Sequence, residues 1–288
     1  RTSLLVNGTD EFTGQYYEHH RQGIEEHIRL LSTVFSIDIC SYAIVGNHYH
    51  IVVKIDAATS ESWSFDEVIQ RWPCLHSDPF FIRKYQNGDA ISVTEMNGLT
   101  RIVDDWRARL ASVSEFTQQL NPLIARQISI EEIAQAAFGG LIQIAAITYR
   151  GKLAHGYGQV DLNPIRATRP DTLEQSLHTS IKERSKPSFS LAPALQQNPD
   201  FNPKYIQRFA VKPLAAIEGN VKYHKQNAAL LGRKAYLTLV DTSGRIERRD
   251  KHGFISEIFL PILQRLAIDN DECRGMDCQY VEIRSTFL

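Results

Sequence analysis

Apolar residues recur at spacings of three and four between Tyr17 and Phe35, at Ile24, Ile28, Leu31 and Phe35, with Glu, His and Arg between them. That period predicts an amphipathic helix with one buried stripe. The pattern then becomes β-rich from Ile37 to Asp56. One run reaches Val45, Gly46-Asn47 reads as a two-residue turn, and a second run returns from His48. Such text predicts a β-hairpin. Alternation along the second strand puts His48, His50, Val52 and Lys54 on one face and Tyr49, Ile51, Val53 and Ile55 on the other. The second set can pack on a core covered by the preceding helix. Packing does not explain the histidine face. Helix, strand, turn and strand in this order predict an α+β layer.

Further on the pattern is mostly helical. Ser62 to Trp72 predicts a short helix, Pro73 and Pro79 interrupt it, and Asn87-Gly88-Asp89 reads as a turn. Ser92 and Glu95 have capping-box spacing, and Met96, Leu99, Val103, Trp106, Leu110 and Val113 follow at helical intervals. The other face of that helix carries Arg101, Arg107 and Arg109, either as a solvated charged face or as phosphate contacts. Asn121-Pro122 is expected to bend or end the next helical segment. Ser129 to Glu132 repeats the capping-box spacing ahead of Gly139-Gly140, where an ordinary helical pair is a better reading than a helix-turn-helix. Pro164 should disturb or end any helix that reaches it. Prolines at 187, 193, 199, 203 and 213 among Ser, Gln and Asn predict a linker or extended loop over residues 187–213. Beyond it come a short run from Tyr236 to Asp241, a turn at Thr242-Ser243-Gly244, and a basic cluster of Arg245, Arg248, Arg249, Lys251 and His252. A helix is predicted from Ile255 to Leu266.

Composition narrows the class. The 288 residues are 43% hydrophobic and 23% charged, the balance of an ordinary globular chain rather than a disordered or fibrous one. No apolar run approaches a membrane span and no signal peptide is visible, so the expectation is a cytoplasmic protein without a membrane partner. The chain opens at Arg1 rather than at a methionine, which suggests that an N-terminal piece, and a first strand with it, is missing. The four cysteines, Cys40, Cys74, Cys273 and Cys278, lack CxxC spacing, against both a zinc ribbon and a disulfide scaffold. With a net charge of -1, bulk electrostatics give nucleic-acid binding no support, and any such site must be a local patch.

Candidate chemistry centres on the hairpin. Imidazoles at i and i+2 on one strand face can share a divalent ion such as Mn, Zn or Ni. A tyrosine hydroxyl can attack phosphorus when a metal polarises the phosphate, and Tyr149 and Tyr157 lie just before the Asp-Leu-Asn-Pro segment at 161–164. There is neither a Walker-type phosphate loop nor a Gly-x-Ser-x-Gly elbow.

Two stretches resemble a known family. Tyr42-Ala43-Ile44-Val45-Gly46-Asn47-His48-Tyr49-His50-Ile51-Val52-Val53 resembles the HUH motif of single-tyrosine transposases. Val160 to Ala167 resembles the second hallmark of the REP-associated tyrosine transposases, close to Tyr-[Ile/Val]-[Asp/Glu]-Leu-Asn-Pro-[Ile/Val]-Arg-Ala. Flanking text at Trp63 to Trp72, Leu120 to Arg126, Thr179 to Arg184 and Tyr236 to Leu266 also looks like a large bacterial subgroup with a C-terminal extension, so the likeness spans nearly the whole chain. It implies a ferredoxin-like HUH domain with a helical insertion over 1–186, the linker at 187–213, and a largely helical accessory segment over 214–288. It implies a metal site on the open face of the sheet, with His48, His50 and Asn163 as ligands of Mg or Mn. The activity implied is cleavage and joining of single-stranded or hairpin DNA through a 5′-phosphotyrosine. Arg101, Arg107, Arg109 and Arg166 would touch DNA, and a homodimer is a compatible assembly.

The chain departs from the family phrase at the nucleophile, where Gln159 stands in place of tyrosine. Tyr157, two residues earlier and about 200° around a helix, is the candidate that remains, and in its frame Asp161 rather than Asn163 lies four residues on. The wording expected before the tyrosine helix, rich in aromatics and arginine, is also missing between Ile128 and Gly158. An active strand-transferase, a transposase relative that binds DNA without cutting it, and an HxH metallohydrolase are therefore the readings carried forward. The last is weakest, because eight strand-helix units are not visible.

Overall fold

The computed structural model describes residues 5–6, 9–10, 18–45, 48–77, 79–129, 141–147, 153–166, 172–216, 233–247, 253–266 and 279–286. Two short strands, β1 (Leu5–Val6) and β2 (Thr9–Asp10), pair antiparallel ahead of helix α1 (Glu18–Val34). The hairpin follows as β3 (Ile37–Val45) and β4 (His48–Ile55), with Val45 opposite His48, Ile44 opposite Tyr49 and Tyr42 opposite Ile51. This register leaves two residues between the strands, as a tight hairpin requires. The Gly46-Asn47 turn itself lies outside the described residues. The register shifts between Ile39 and Ser41, at Cys40, so each strand face keeps its partners on both sides of the irregularity.

A helical insertion comes next: α2 (Ala57–Ser62), α3 (Phe65–Arg71), α4 (Phe80–Gln86), α5 (Val93–Arg109) and α6 (Val113–Ser129). The capping box of α5 forms as its sequence requires, the Ser92 hydroxyl accepting from the Glu95 amide at 3.3 Å while the Glu95 carboxylate accepts from the Ser92 amide at 2.7 Å. Leu99, Val103, Trp106 and Leu110 are buried from that helix. Helix α6 continues through Pro122 rather than ending there. The capping-box spacing at Ser129 to Glu132 and the Gly139-Gly140 pair fall largely outside the described residues.

After β5 (Leu141–Ile147) come α7 (Leu153–Asp161), α8 (Asn163–Arg166), α9 (Ser180–Ser185), α10 (Leu191–Gln197), α11 (Pro203–Ile206), α12 (Arg233–Arg245), α13 (Ile262–Leu266) and finally β6 (Gln279–Thr286). Strand β6 lies between β4 and β5, giving an antiparallel sheet of order β3-β4-β6-β5. The fold class is α+β, as expected. No helix among the described residues is long and apolar enough to cross a membrane.

Both faces of the β3–β4 pair are covered, and the reason lies in the alternation of the two strands. Tyr42, Ile44, Tyr49, Ile51 and Val53 join the larger core, with α1, α5, α6, α10 and α11. Cys40, Ala43 and Val52 face a second core built by α7, α8, α9 and α12 with Ile255 and Ile262. Over β3 and β4, helices cover the face that the transposase likeness implies to be open.

Four further expectations change. Residues 187–213 are not a linker: Ala194, Leu195, Phe201, Tyr205 and Ile206 are buried in the larger core, and Pro203 opens a short helix capped by the Asn202 side chain. The prolines punctuate short helices between apolar anchors. Consequently α1 is enclosed on most sides, and its polar His27 is buried with its ring nitrogens bonded to the Asn198 side chain at 3.0 Å and the Gln119 carbonyl at 3.1 Å. The proposed boundary at 214 also fails, since α12 and β6 complete the packing and the sheet of the first part. Lastly, Thr242-Ser243-Gly244 is not a turn but the end of α12. Gly244 is closely packed there: a Cβ would stand 2.6 Å from Ile255 Cδ1 and 2.8 Å from Leu162 Cδ2, so these side chains would have to shift. The helix predicted from Ile255 begins only at Ile262.

Candidate functional site

The histidine positions are fixed by the hairpin register. His50 stands opposite Ala43 on β3 and opposite Arg284 on β6; His48 stands opposite Val45 and Thr286. Directly opposed residues share a face, so this is the face that also carries Ser41 and Val52. His50 is half-buried. His48 is placed by its backbone alone.

Helix α7 lies against β3 on that same face. Its segment Leu153–Asp161 ends three residues before Pro164, which is buried in the first turn of α8, where a proline costs no helical hydrogen bond. Tyr157 and Val160 point inward, at 0% and 1% exposure, and Gln159 is exposed. The sheet and the tyrosine helix are joined through Ser41, whose hydroxyl donates to the Tyr157 carbonyl at 3.3 Å. Tyr157 therefore lies beside the histidine-bearing strand pair, but within a packed core. Asn163, half-buried, opens α8. Tyr149 lies outside the described residues.

Asp161 is fully committed to the protein. One carboxylate oxygen accepts from the Ser180 hydroxyl at 2.5 Å and the Ile181 amide at 3.1 Å; the other accepts from the Tyr236 hydroxyl at 2.5 Å. The Ser41 and Ser180 hydroxyl oxygens also lie 3.1 Å apart. Burial pushes the Asp161 carboxyl up to about 6, against the hydrogen bonds and the Arg184 charge that favour its anion. Burial likewise pushes the Cys40 thiol up to about 12, and burial with the Asp161 charge holds the Tyr236 phenol well above its ordinary value. Sequence reasoning missed this network. Its one local sign is Ser41, a polar residue within an apolar strand.

Three of the four arginines expected at DNA carry structural bonds instead. Arg107 donates to the Ser60 carbonyl at 3.0 Å and to the Trp63 carbonyl, tying α5 to the start of the insertion. Arg109 pairs with Glu115 at 3.0 Å and lies over the Trp72 ring, 4.5 Å from its centroid. Arg166 donates to the carbonyls of Ser243, Ile246 and Gly253 at 2.8, 2.8 and 3.1 Å, gathering the end of α12. Arg101 is exposed on α5. Of the basic cluster, Arg245 bonds Asp241 at 2.9 Å, and Arg248, Arg249, Lys251 and His252 lie outside the described residues.

Among the described residues no group of three His, Cys, Asp or Glu side chains is arranged to hold a metal. Asp161 is committed to its own bonds, and the ligands that the transposase likeness implies are His48, His50 and Asn163. Two imidazoles with one amide oxygen suit Mn better than Mg, which favours oxygen ligands. Comparison of the chain with family models, curated proteins and solved structures returns no match.

Proposed function

We propose that this protein binds single-stranded or hairpin DNA on a scaffold of the HUH tyrosine-transposase kind and, in the arrangement described, holds the DNA without cutting it. Support for the scaffold comes from the two motif likenesses and from the packing of α7 on the histidine-bearing face. The sheet order is compatible with a ferredoxin-like sheet in which β6 takes the place of a first strand. A divalent ion, Mn in preference to Mg, would be held by His48, His50 and Asn163 and would supply Lewis-acid neutralisation of a bound phosphate.

The observation that supports binding without cleavage is the pairing of a fully buried Tyr157 with an exposed Gln159. A nucleophile must reach its phosphorus, and Tyr157 is sealed between α7, α12 and the sheet. Gln159 occupies the outward position, where its amide can hydrogen-bond a phosphate oxygen but cannot form a phosphoester. The second reading, strand transfer through a 5′-phosphotyrosine at Tyr157, draws on one fact: that residue and His50 belong to elements packed on the same sheet face. It requires α7 to turn by about half a revolution.

The full chain incubated with Mn and a DNA hairpin carrying a single-stranded 5′ flank separates these readings. Binding that weakens with salt and leaves no adduct stable to denaturing electrophoresis supports the proposal. An adduct lost in Tyr157→Phe establishes strand transfer, and failure to bind removes both. Sedimentation of the free and bound chain reads whether one or two copies take part.

A further inference from the structure

A second site lies on the opposite side of β3. A cavity of about 350 Å³ is lined by α1 residues Glu25, Glu26 and Arg29, by Tyr42 and His178, and by Phe189 with its neighbours ahead of α10. That volume falls in the range of small-molecule pockets.

Two charged side chains of this cavity are left incomplete by the fold. Glu26 is 8% exposed; one carboxylate oxygen accepts from Gln22 at 2.9 Å, and the other meets no donor among the described residues. Arg29 is 6% exposed, and only one of its terminal nitrogens makes a hydrogen bond, to the Lys212 carbonyl at 2.9 Å. Its Nε and other terminal nitrogen are buried without a hydrogen bond among the described residues, the latter 4.0 Å from a Glu183 oxygen. Unsatisfied buried ionic groups are costly to a fold, more so than neutral hydrogen-bonding groups. They are three residues apart on one helix, so their Cβ atoms are about 5–6 Å apart, yet they do not satisfy one another.

Of the surrounding charged groups, Glu25, His178 and Glu183 are already engaged, and Lys182 also lines the cavity. Glu25 accepts from the Tyr42 hydroxyl at 2.5 Å and is bonded to His178 Nδ1 at 2.7 Å. The second Glu183 oxygen accepts from the Ser188 amide at 3.0 Å and its hydroxyl at 3.3 Å. His178 is held at φ 55, a conformation unusual for a residue with a side chain, and its carbonyl accepts from the Ile44 amide at 3.1 Å. Such backbone strain gathers at ligand sites.

We propose that this cavity binds an α-amino acid, the carboxylate on Arg29 and the ammonium on Glu26. A guanidinium with free N–H groups calls for a planar anion, and a lone buried carboxylate oxygen calls for a cationic donor. A ligand carrying both charged groups on one carbon meets both requirements without adding net charge to a buried site. Phe189, Pro193 and the Tyr42 ring give its side chain apolar walls.

Thermal unfolding of the full chain with L-serine, L-leucine and L-phenylalanine, each at about 10 mM, tests the site; a binder should raise Tm by about 2 °C or more. The one-charge analogues 3-methylbutylamine and 4-methylpentanoate should not reproduce the leucine shift, and Glu26→Gln should abolish every shift. If Glu26→Gln does not fold, Arg29→Lys, which keeps the charge but loses the planar fork, should reduce the shift. The proposal is overturned if none of the three amino acids raises Tm, if either analogue matches leucine, or if a folded Glu26→Gln protein keeps the response.

Discussion

The two faces of the sheet are held by different means. The larger core beneath α1 is dominated by aliphatic and aromatic side chains, with Phe35 edge-on to Phe116 at 5.5 Å between ring centroids. The smaller core beneath α7 and α12 contains a buried carboxylate with three donors around it. An apolar core loses stability with each atom removed, whereas a buried polar network is sensitive to charge and to which partner is deleted. Because α7 carries both Tyr157 and Asp161, the network that positions the helix also seals the tyrosine. The buried nucleophile candidate and the buried carboxylate therefore belong to one packing arrangement.

The largest effect is expected on the apolar face. Phe35→Ala should lower unfolding free energy by about 3–5 kcal/mol in urea denaturation, with no change in its pH dependence. On the polar face Asp161→Asn should cost about 1.5–3 kcal/mol, because the amide cannot accept from three donors as the carboxylate does. This variant also has a signature in pH. The folded carboxyl titrates near 6 and the unfolded one near 3.8, so between those values the folded state holds a proton that the unfolded state has released. The group's contribution is therefore most favourable below the unfolded value and is lost as pH rises through the folded one. Denaturation of both proteins from pH 3.5 to 7.5 should show the wild-type advantage shrinking over that window and constant above it. A difference that grows with pH would mean that the donors outweigh burial.

Smaller effects sharpen the comparison at its edges. Arg166→Gln should cost about 1–2 kcal/mol and speed amide exchange along the last turn of α12, since it releases three carbonyls. Arg101→Ala should change stability by less than about 0.5 kcal/mol. If α5 faces DNA, the same substitution should reduce the slope of log affinity against log salt by about 1. A large stability loss in Arg101→Ala would show that this residue, like Arg107 and Arg109, serves the fold.

Features encoded over short distances were legible in the sequence. The period-two runs around Gly46-Asn47 located the hairpin strands and their two faces, and the Ser92–Glu95 pair located the start of α5. Features settled by distant partners were not. The prolines of 187–213 resembled a linker because the surface that receives Phe201 and Tyr205 is built elsewhere in the chain. Gly244 resembled a turn because its close packing is with Ile255 and Leu162. At the candidate site the histidine pair was visible, but the burial of Tyr157 depends on α12. The carbonyl partners of Arg107 and Arg166 likewise have no local sequence mark.

The position of β6 bears on how the molecule is made. During synthesis β4 and β5 emerge long before their shared neighbour, which pairs along the whole length of β4 from His48 to Ile55. Until residues 279–286 arrive, that strand has one unpaired edge, the kind of backbone template that recruits other chains. Folding of the sheet thus waits for its most sequence-distant contact, a topology that slows the search and lengthens exposure to aggregation. Any shortened chain lacking β6 should emerge with its hairpin formed, its sheet divided and the histidine-bearing strand open to association.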